Sequence, residues 1–170
     1  MQILNSLNKT WLIFGKIVQI QTIFITKNMN ILFVADGIFP FVIGGMQKHS
    51  YNLLKNLSSI GVQVTLFHTV YNSSVPSQND VNLELFGDEI ENYIKSFCLE
   101  FPSSIKFTGH YIFNSWRYSK LVFKKTEELG LENFDFIYCK GFSGWEFISQ
   151  RSNFKKMPPI GINFHGYEMW

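Results

Sequence analysis

Cysteine is scarce. Cys98 and Cys139 are the only two in 170 residues, far apart and without a Cys-x-x-Cys pair. Disulfide frameworks and zinc sites need more thiols at closer spacing, so both read as free thiols in a reducing compartment. Charge is thin as well: 16% of residues are charged and the formal net charge is +2, with no basic run to suit nucleic acid. Long apolar runs are also missing. The segment from Trp11 to Ile25 is broken by Lys16, Gln19 and Gln21 and falls short of the ~20 apolar residues of a membrane span. A secretory leader would add a basic start and an Ala-x-Ala-like site; Lys9 is the lone early base and no such site follows. An interfacial anchor is one reading of residues 1–28. The preferred one is an extension outside the domain, because Met29 immediately precedes the first strand.

Several signature motifs are absent too. A dinucleotide fold wants G-x-G-x-x-G after its first strand and an acidic residue ending its second. Here Gly44 and Gly45 come late and adjacent, and the second strand ends Phe67-His68-Thr69. No G-x-x-x-x-G-K-[ST] loop and no G-x-S-x-G elbow occurs. No His, Cys and carboxylate cluster has metal-ligand spacing, so no metal is expected. Repeats and low-complexity tracts are missing.

What is present is apolar: 46% of the chain is hydrophobic and 18 residues are phenylalanine, enough for one domain with one sizeable core. Met29 to His68 organises it. Ile31, Leu32, Phe33 and Val34 form a near-continuous apolar run within Asn30 to Ala35, the pattern of a strand buried on both faces of a parallel sheet. Leu53, Leu54, Leu57 and Ile60 fall three and four apart. They predict one face of a helix that begins after Gly44-Gly45 and stops at Gly61. Val62, Val64, Leu66 and Phe67 open a second strand, and such a strand–helix–strand unit is a parallel crossover.

Downstream, Thr69 to Leu85 is polar and predicts a loop, either facing a substrate or merely solvated. Glu89 to Leu99 fits a helix or a strand over Tyr93 to Leu99. Phe101-Pro102-Ser103-Ser104 is a break. A long helix follows from about Gly109 to Leu129, with Tyr111, Tyr118, Leu121, Val122 and Leu129 as its buried stripe and Gly130 as its stop. Lys120, Lys124 and Lys125 cluster in its later half. They suit acidic lipid, a phosphorylated acceptor, or a solvated face that complements the helix dipole. Phe134 to Cys139 is a strand, Gly141-Phe-Ser-Gly144 its exit loop, and Trp145 to Arg151 a short helix with Ser143 as N-cap. Pro158-Pro159 precedes a last strand, Ile160 to Phe164.

Open α/β sheets bind ligands at the C-terminal ends of their strands. The Gly44-Gly45 loop and His165 are both expected there, side by side. Glycines before a helix N-terminus make a seat for phosphate, or simply let the chain turn. His49 lines that cleft or holds the loop by a hydrogen bond. Lys48 neutralises phosphate or is solvated. Asp36 is an acceptor for the loop, without a catalytic role. A histidine after an apolar strand, such as His165, is by default a packed or capping residue, and Glu168 by default an exposed carboxylate.

Asp36 to Leu57 resembles the opening of family-4 glycosyltransferases, retaining nucleotide-sugar transferases of the GT-B fold. The stretch from Asp135 to Phe147 and the ending Asn163-Phe-His-Gly-Tyr-Glu168 agree with it. The resemblance covers Met29 to Trp170 and implies one α/β Rossmann-like domain, a parallel sheet with helices on both faces. It favours a strand over Tyr93 to Leu99. His165 then faces the transferred sugar as the catalytic candidate, stabilising charge near the reacting centre. Gly44, Gly45, His49 and Glu168 become substrate-binding candidates. The family's second domain supplies most donor contacts, through a basic pair and a Glu-x-x-x-x-x-x-x-Glu motif. Neither is expected here, and the chain ends before the family's first domain is complete. The resemblance therefore implies the acceptor-side half of an enzyme, inactive alone. It would have no cofactor, a nucleotide-sugar co-substrate, a glycan or lipid-linked acceptor, and a C-terminal GT-B domain as partner. Its place is cytoplasmic, peripheral at the inner face of the plasma membrane. The alternative from another class is a non-catalytic Rossmann-like module for an anion, a glycan or a partner subunit.

Overall fold

A computed structural model of the chain describes residues 29–69, 93–102 and 107–164. The expectations for residues 1–28, for the polar loop beyond Thr69, and for His165 and Glu168 lie outside the described residues. Among the described residues the elements run, in chain order, β1 (Asn30–Val34), α1 (Gly45–Ser59), β2 (Gln63–His68), β3 (Ile94–Cys98), α2 (His110–Leu129), β4 (Phe136–Lys140), α3 (Trp145–Ser149) and β5 (Ile160–Asn163), with short 3-10 turns between some of them. The strands form one sheet in the order β3-β2-β1-β4-β5. Each neighbouring pair is parallel. This is the Rossmann-like fold expected, and the ambiguous segment near Tyr93 is a strand.

β1 is central, with Val34 opposite Phe67 on one side and Cys139 on the other. Its alternating side chains feed two cores. Phe33 and Ala35 join Ile38, Leu54, Val64 and Leu66 beneath α1. Leu32 and Val34 join Phe67, Ile137, Tyr118, Val122 and Phe147 beneath α2 and α3. Cys98 and Cys139 are free and buried, and burial pushes the Cys139 thiol well up. Among the described residues no helix is long and apolar enough to cross a membrane.

The helix faces differ in detail from the spacing rule. Leu54 is fully buried, but Ile60 lies beyond the last turn of α1 and is 70% exposed. The chain reverses at Gly61, where φ is +80° and L side chains are strained. On α2, Tyr118 and Val122 are buried as expected, while Leu121 and Leu129 pack at the margin. Tyr111 is exposed at the helix's free end. Phe123 is buried with Tyr118 and Val122, and the rest of the buried side is polar: Asn114, Ser115, Ser119 and Thr126. Ser119 Oγ accepts the backbone N–H of Glu146 at 2.7 Å, and Thr126 Oγ1 donates to the Val122 carbonyl at 2.8 Å. Ser143 is not the cap of α3. Its hydroxyl donates to the Lys140 carbonyl at 2.6 Å, Gly144 occupies the capping position, and Ser119 serves the first turn from the neighbouring helix. Gly144 is required sterically, since a Cβ there would lie 2.9 Å from the Cys139 Cβ. β4 begins two residues late because Asp135 turns aside to accept the Asn30 N–H at 3.0 Å.

His68 ends β2 with its ring stacked 6.0 Å from Phe41. Its Nε2 is buried without a hydrogen-bond partner. Burial lowers its pKa from 6.5 to about 4, against a weaker opposing contact with the Thr69 carbonyl. The unfolded chain therefore binds a proton between those values while the folded chain does not, so stability falls as pH falls from 6.5 toward 4.

Two predictions follow from this packing. Leu54→Ala should destabilise by about 2–5 kcal/mol, whereas Ile60→Ser should change stability by less than about 0.5 kcal/mol. Urea titrations check both, and similar losses at the two sites would contradict this helix face. His68→Gln should flatten the pH dependence between pH 6.5 and 4, measured as the shift in urea midpoint relative to the parent. An unchanged slope would place the titrating group elsewhere.

Candidate functional site

The strand order reverses at β1 and β4, so crossovers leave in opposite directions and open a crevice at the C-terminal ends of these strands. The register that pairs Val34 with Cys139 sets the next residues, Ala35-Asp36 and Lys140-Gly141, at that edge.

α2 fixes the exit of β1. Tyr118 donates to the Ala35 carbonyl at 3.0 Å, and the Tyr111 hydroxyl donates to the Asp36 carboxylate. From β2, Thr69 Oγ1 donates to the Asp36 carbonyl. Asp36 thus works across the sheet edge with α2, an engagement that the sequence pattern did not signal.

Beyond it the chain crosses to α1 through a cis Phe39–Pro40 bond. Gly44 precedes the first turn in an extended conformation, with φ 178° and no side-chain cap. A Cβ at Gly45 would meet nothing within 4 Å, and one at Gly44 would meet only the flexible end of Gln47. Neither glycine is needed for left-handed backbone. Their effect is to leave the start of α1 open to approach, with its dipole unopposed by any acidic residue in the first turn.

On the same face sits Lys140, the last residue of β4 and only 1% exposed. Its ammonium lies 3.3 Å from His49 Nδ1 and 5.2 Å from the centre of the Tyr138 ring. An ammonium can only donate, so Nδ1 is the acceptor in this contact. Burial lowers the Lys140 pKa. His49 and Lys48 are otherwise exposed on α1. The structure therefore joins His49, of the expected site, to a lysine that sequence reasoning missed. The available signal was a lysine closing an apolar strand at the sheet's ligand edge.

Beside Lys140, in register, stands Asn163 at the end of β5, whose amide donates to the Tyr138 hydroxyl at 2.8 Å. His165 follows two residues later, outside the described residues. Chemically, the edge offers a desolvated cation and a helix N-terminus on one face, and a hydrogen-bonded carboxylate on the other. Among the described residues no group of His, Cys, Asp or Glu could hold a metal ion.

No protein-family model and no curated protein matches the chain. Among solved structures, sucrose-phosphate synthase from Thermosynechococcus elongatus superposes at a TM-score of 0.56 with 12% identity, over 81% of this chain and 33% of that one. A second, shorter chain of that synthase gives 0.51 at 12% identity, over 81% of this chain and 64% of that one. The C-terminal domain of a hydrogenase from Pyrococcus furiosus gives 0.47 at 19% identity, over 82% and 94%. The chain thus spans a third of the full synthase. The likeness is one of fold, a parallel Rossmann-like domain of the GT-B type.

Lys140→Met should lower the melting temperature by a few degrees, because it removes one partner of a buried polar contact while leaving the other in place. Calorimetry of the two proteins checks this. A rise of similar size would show that the cost of burying the charge outweighs its contacts.

Proposed function

We propose that the chain is the acceptor-side half of a retaining glycosyltransferase that moves a sugar from a nucleotide-sugar donor to a glycan or lipid-linked acceptor. The observation that carries it is the order reversal at β1 and β4, which gathers the open α1 start, Lys140 and Asp36 at one strand edge. The GT-B-type fold and the resemblance of three stretches of sequence support the same reading. In this proposal Gly44 and Gly45 admit the donor phosphates toward α1. His49, held by Lys140, borders the sugar, and Lys140 supplies positive charge from behind it. His165 and Glu168 serve the transferred sugar and the acceptor. The second wall of the cleft, with most donor contacts, comes from a C-terminal GT-B domain in another chain or segment. Attraction of phosphates by one wall does not orient the sugar carbon, and transfer needs that orientation.

The buried lysine beside an uncapped helix start also favours a second reading, an anion-binding module without catalysis. Transfer assays with a panel of nucleotide sugars separate the two, run on the chain alone and with a GT-B C-terminal domain added. The expected result is no turnover alone and turnover with the domain, lowered more by His165→Ala than by His49→Ala. Phosphate binding without turnover under both conditions would favour the module. Robust transfer by the chain alone would overturn the half-enzyme.

A further inference from the structure

The outer face of α2 carries a pattern that the strand-edge site does not use. At 3.6 residues per turn, Phe113, Trp116, Arg117, Lys120 and Lys124 fall within an arc of roughly 100°, opposite buried Tyr118, Val122 and Thr126. Phe107, just before the helix, extends this stripe. Its ring lies 6.0 Å from that of Phe113, which lies 5.8 Å from that of Trp116. Phe107, Ile112 and Phe113 are each about half exposed. From His110 to Lys125 the helix contains no acidic residue. Glu127 and Glu128 come only in its last turn, where Lys125 pairs with Glu128 at 3.4 Å.

The cations and rings are interleaved. The Lys120 ammonium stands 3.9 Å from the centre of the Trp116 ring, and the Arg117 guanidinium 5.9 Å from that of Phe113. The Trp116 and Phe113 rings thus already carry cations of the protein's own, which disfavours stacking of a nucleobase on those faces. Aromatic edges among basic residues on one helix face are the combination that suits the headgroup layer of an anionic bilayer.

We propose that α2 docks the protein on an anionic lipid surface. Phe107, Ile112, Phe113 and Trp116 enter the headgroup region, and Arg117, Lys120 and Lys124 meet lipid phosphates. The acidic last turn tilts away from the surface, so the N-terminal end of α2 leads. That end carries Tyr111, whose hydroxyl reaches Asp36 at the strand edge. Docking in this pose brings the candidate site close to the headgroups. The proposal stands apart from the sugar-transfer reading, because it rests on a different face.

The test is flotation of the full chain with vesicles of phosphatidylcholine alone or mixed with phosphatidylglycerol. The parent should float with the mixed vesicles and progressively less as salt rises. Lys120→Glu with Lys124→Glu should weaken partitioning at least about tenfold, while Lys120→Arg with Lys124→Arg retains it. Phe113→Ser with Trp116→Ser should also weaken it, with circular dichroism melts confirming the fold of each variant. Equal flotation with both vesicle types would overturn the proposal. So would flotation unchanged by the glutamate pair, or no flotation. Self-association of the parent without lipid, abolished by the glutamate pair, would assign the stripe to a second copy of the chain instead.

Discussion

Burial of β1 on both faces is the constraint from which the rest of the fold follows. Leu32, Phe33 and Val34 are fully buried, and each such side chain contributes about 1.5–3 kcal/mol when removed from water. A strand covered on both faces needs backbone partners on both edges, and β2 and β4 supply them in parallel. Parallel pairing forbids tight hairpins, and the described helices cross over the sheet and cover its faces. α1 takes one face while α2 and α3 take the other. All strand exits then share one edge, and the crevice opens where crossovers diverge. The candidate site is located by hydrophobic burial before any polar residue acts.

Polar groups refine that arrangement. The exposed Lys125–Glu128 pair contributes at most about 1 kcal/mol. The buried polar seam of α2 matters more for geometry. Ser119 is small enough to admit the start of α3 and supplies the acceptor that α3 lacks locally. Tyr111 and Tyr118 reach from α2 to the exit of β1. A larger apolar residue at Ser119 would fill the seam, but it would leave the Glu146 N–H without this acceptor, a cost of about 1–3 kcal/mol.

Features written in local spacing were legible in the sequence. The apolar run at Ile31–Val34 gave a buried parallel strand, and glycines at 61 and 130 marked helix ends with positive φ. Features set by distant partners were not. Ile60 keeps helical spacing but lies past the last turn, where the reversal at Gly61 carries it into solvent. The polar part of the buried side of α2 escaped because serine, threonine and asparagine read as surface residues, yet here they are buried, with Ser119 against the start of α3. Ser143 had the right type and place for a cap, but the Lys140 carbonyl takes its hydroxyl instead. Lys140 itself was hidden because a lysine at a strand end reads as solvated. Only the packing of α1 across the sheet reveals that it is enclosed.

The enclosure of Lys140 links fold to ligand chemistry. A desolvated ammonium costs the folded state free energy that its surroundings return in part, and His49 and the Tyr138 ring are among the groups that do so. An anion arriving at the open start of α1 would meet this cation and the helix dipole from the same side. The fold thus gathers positive charge at the C-terminal edge of its strands. Attraction alone is not catalysis: a reacting carbon must also be presented in one direction, which takes contacts around the whole substrate.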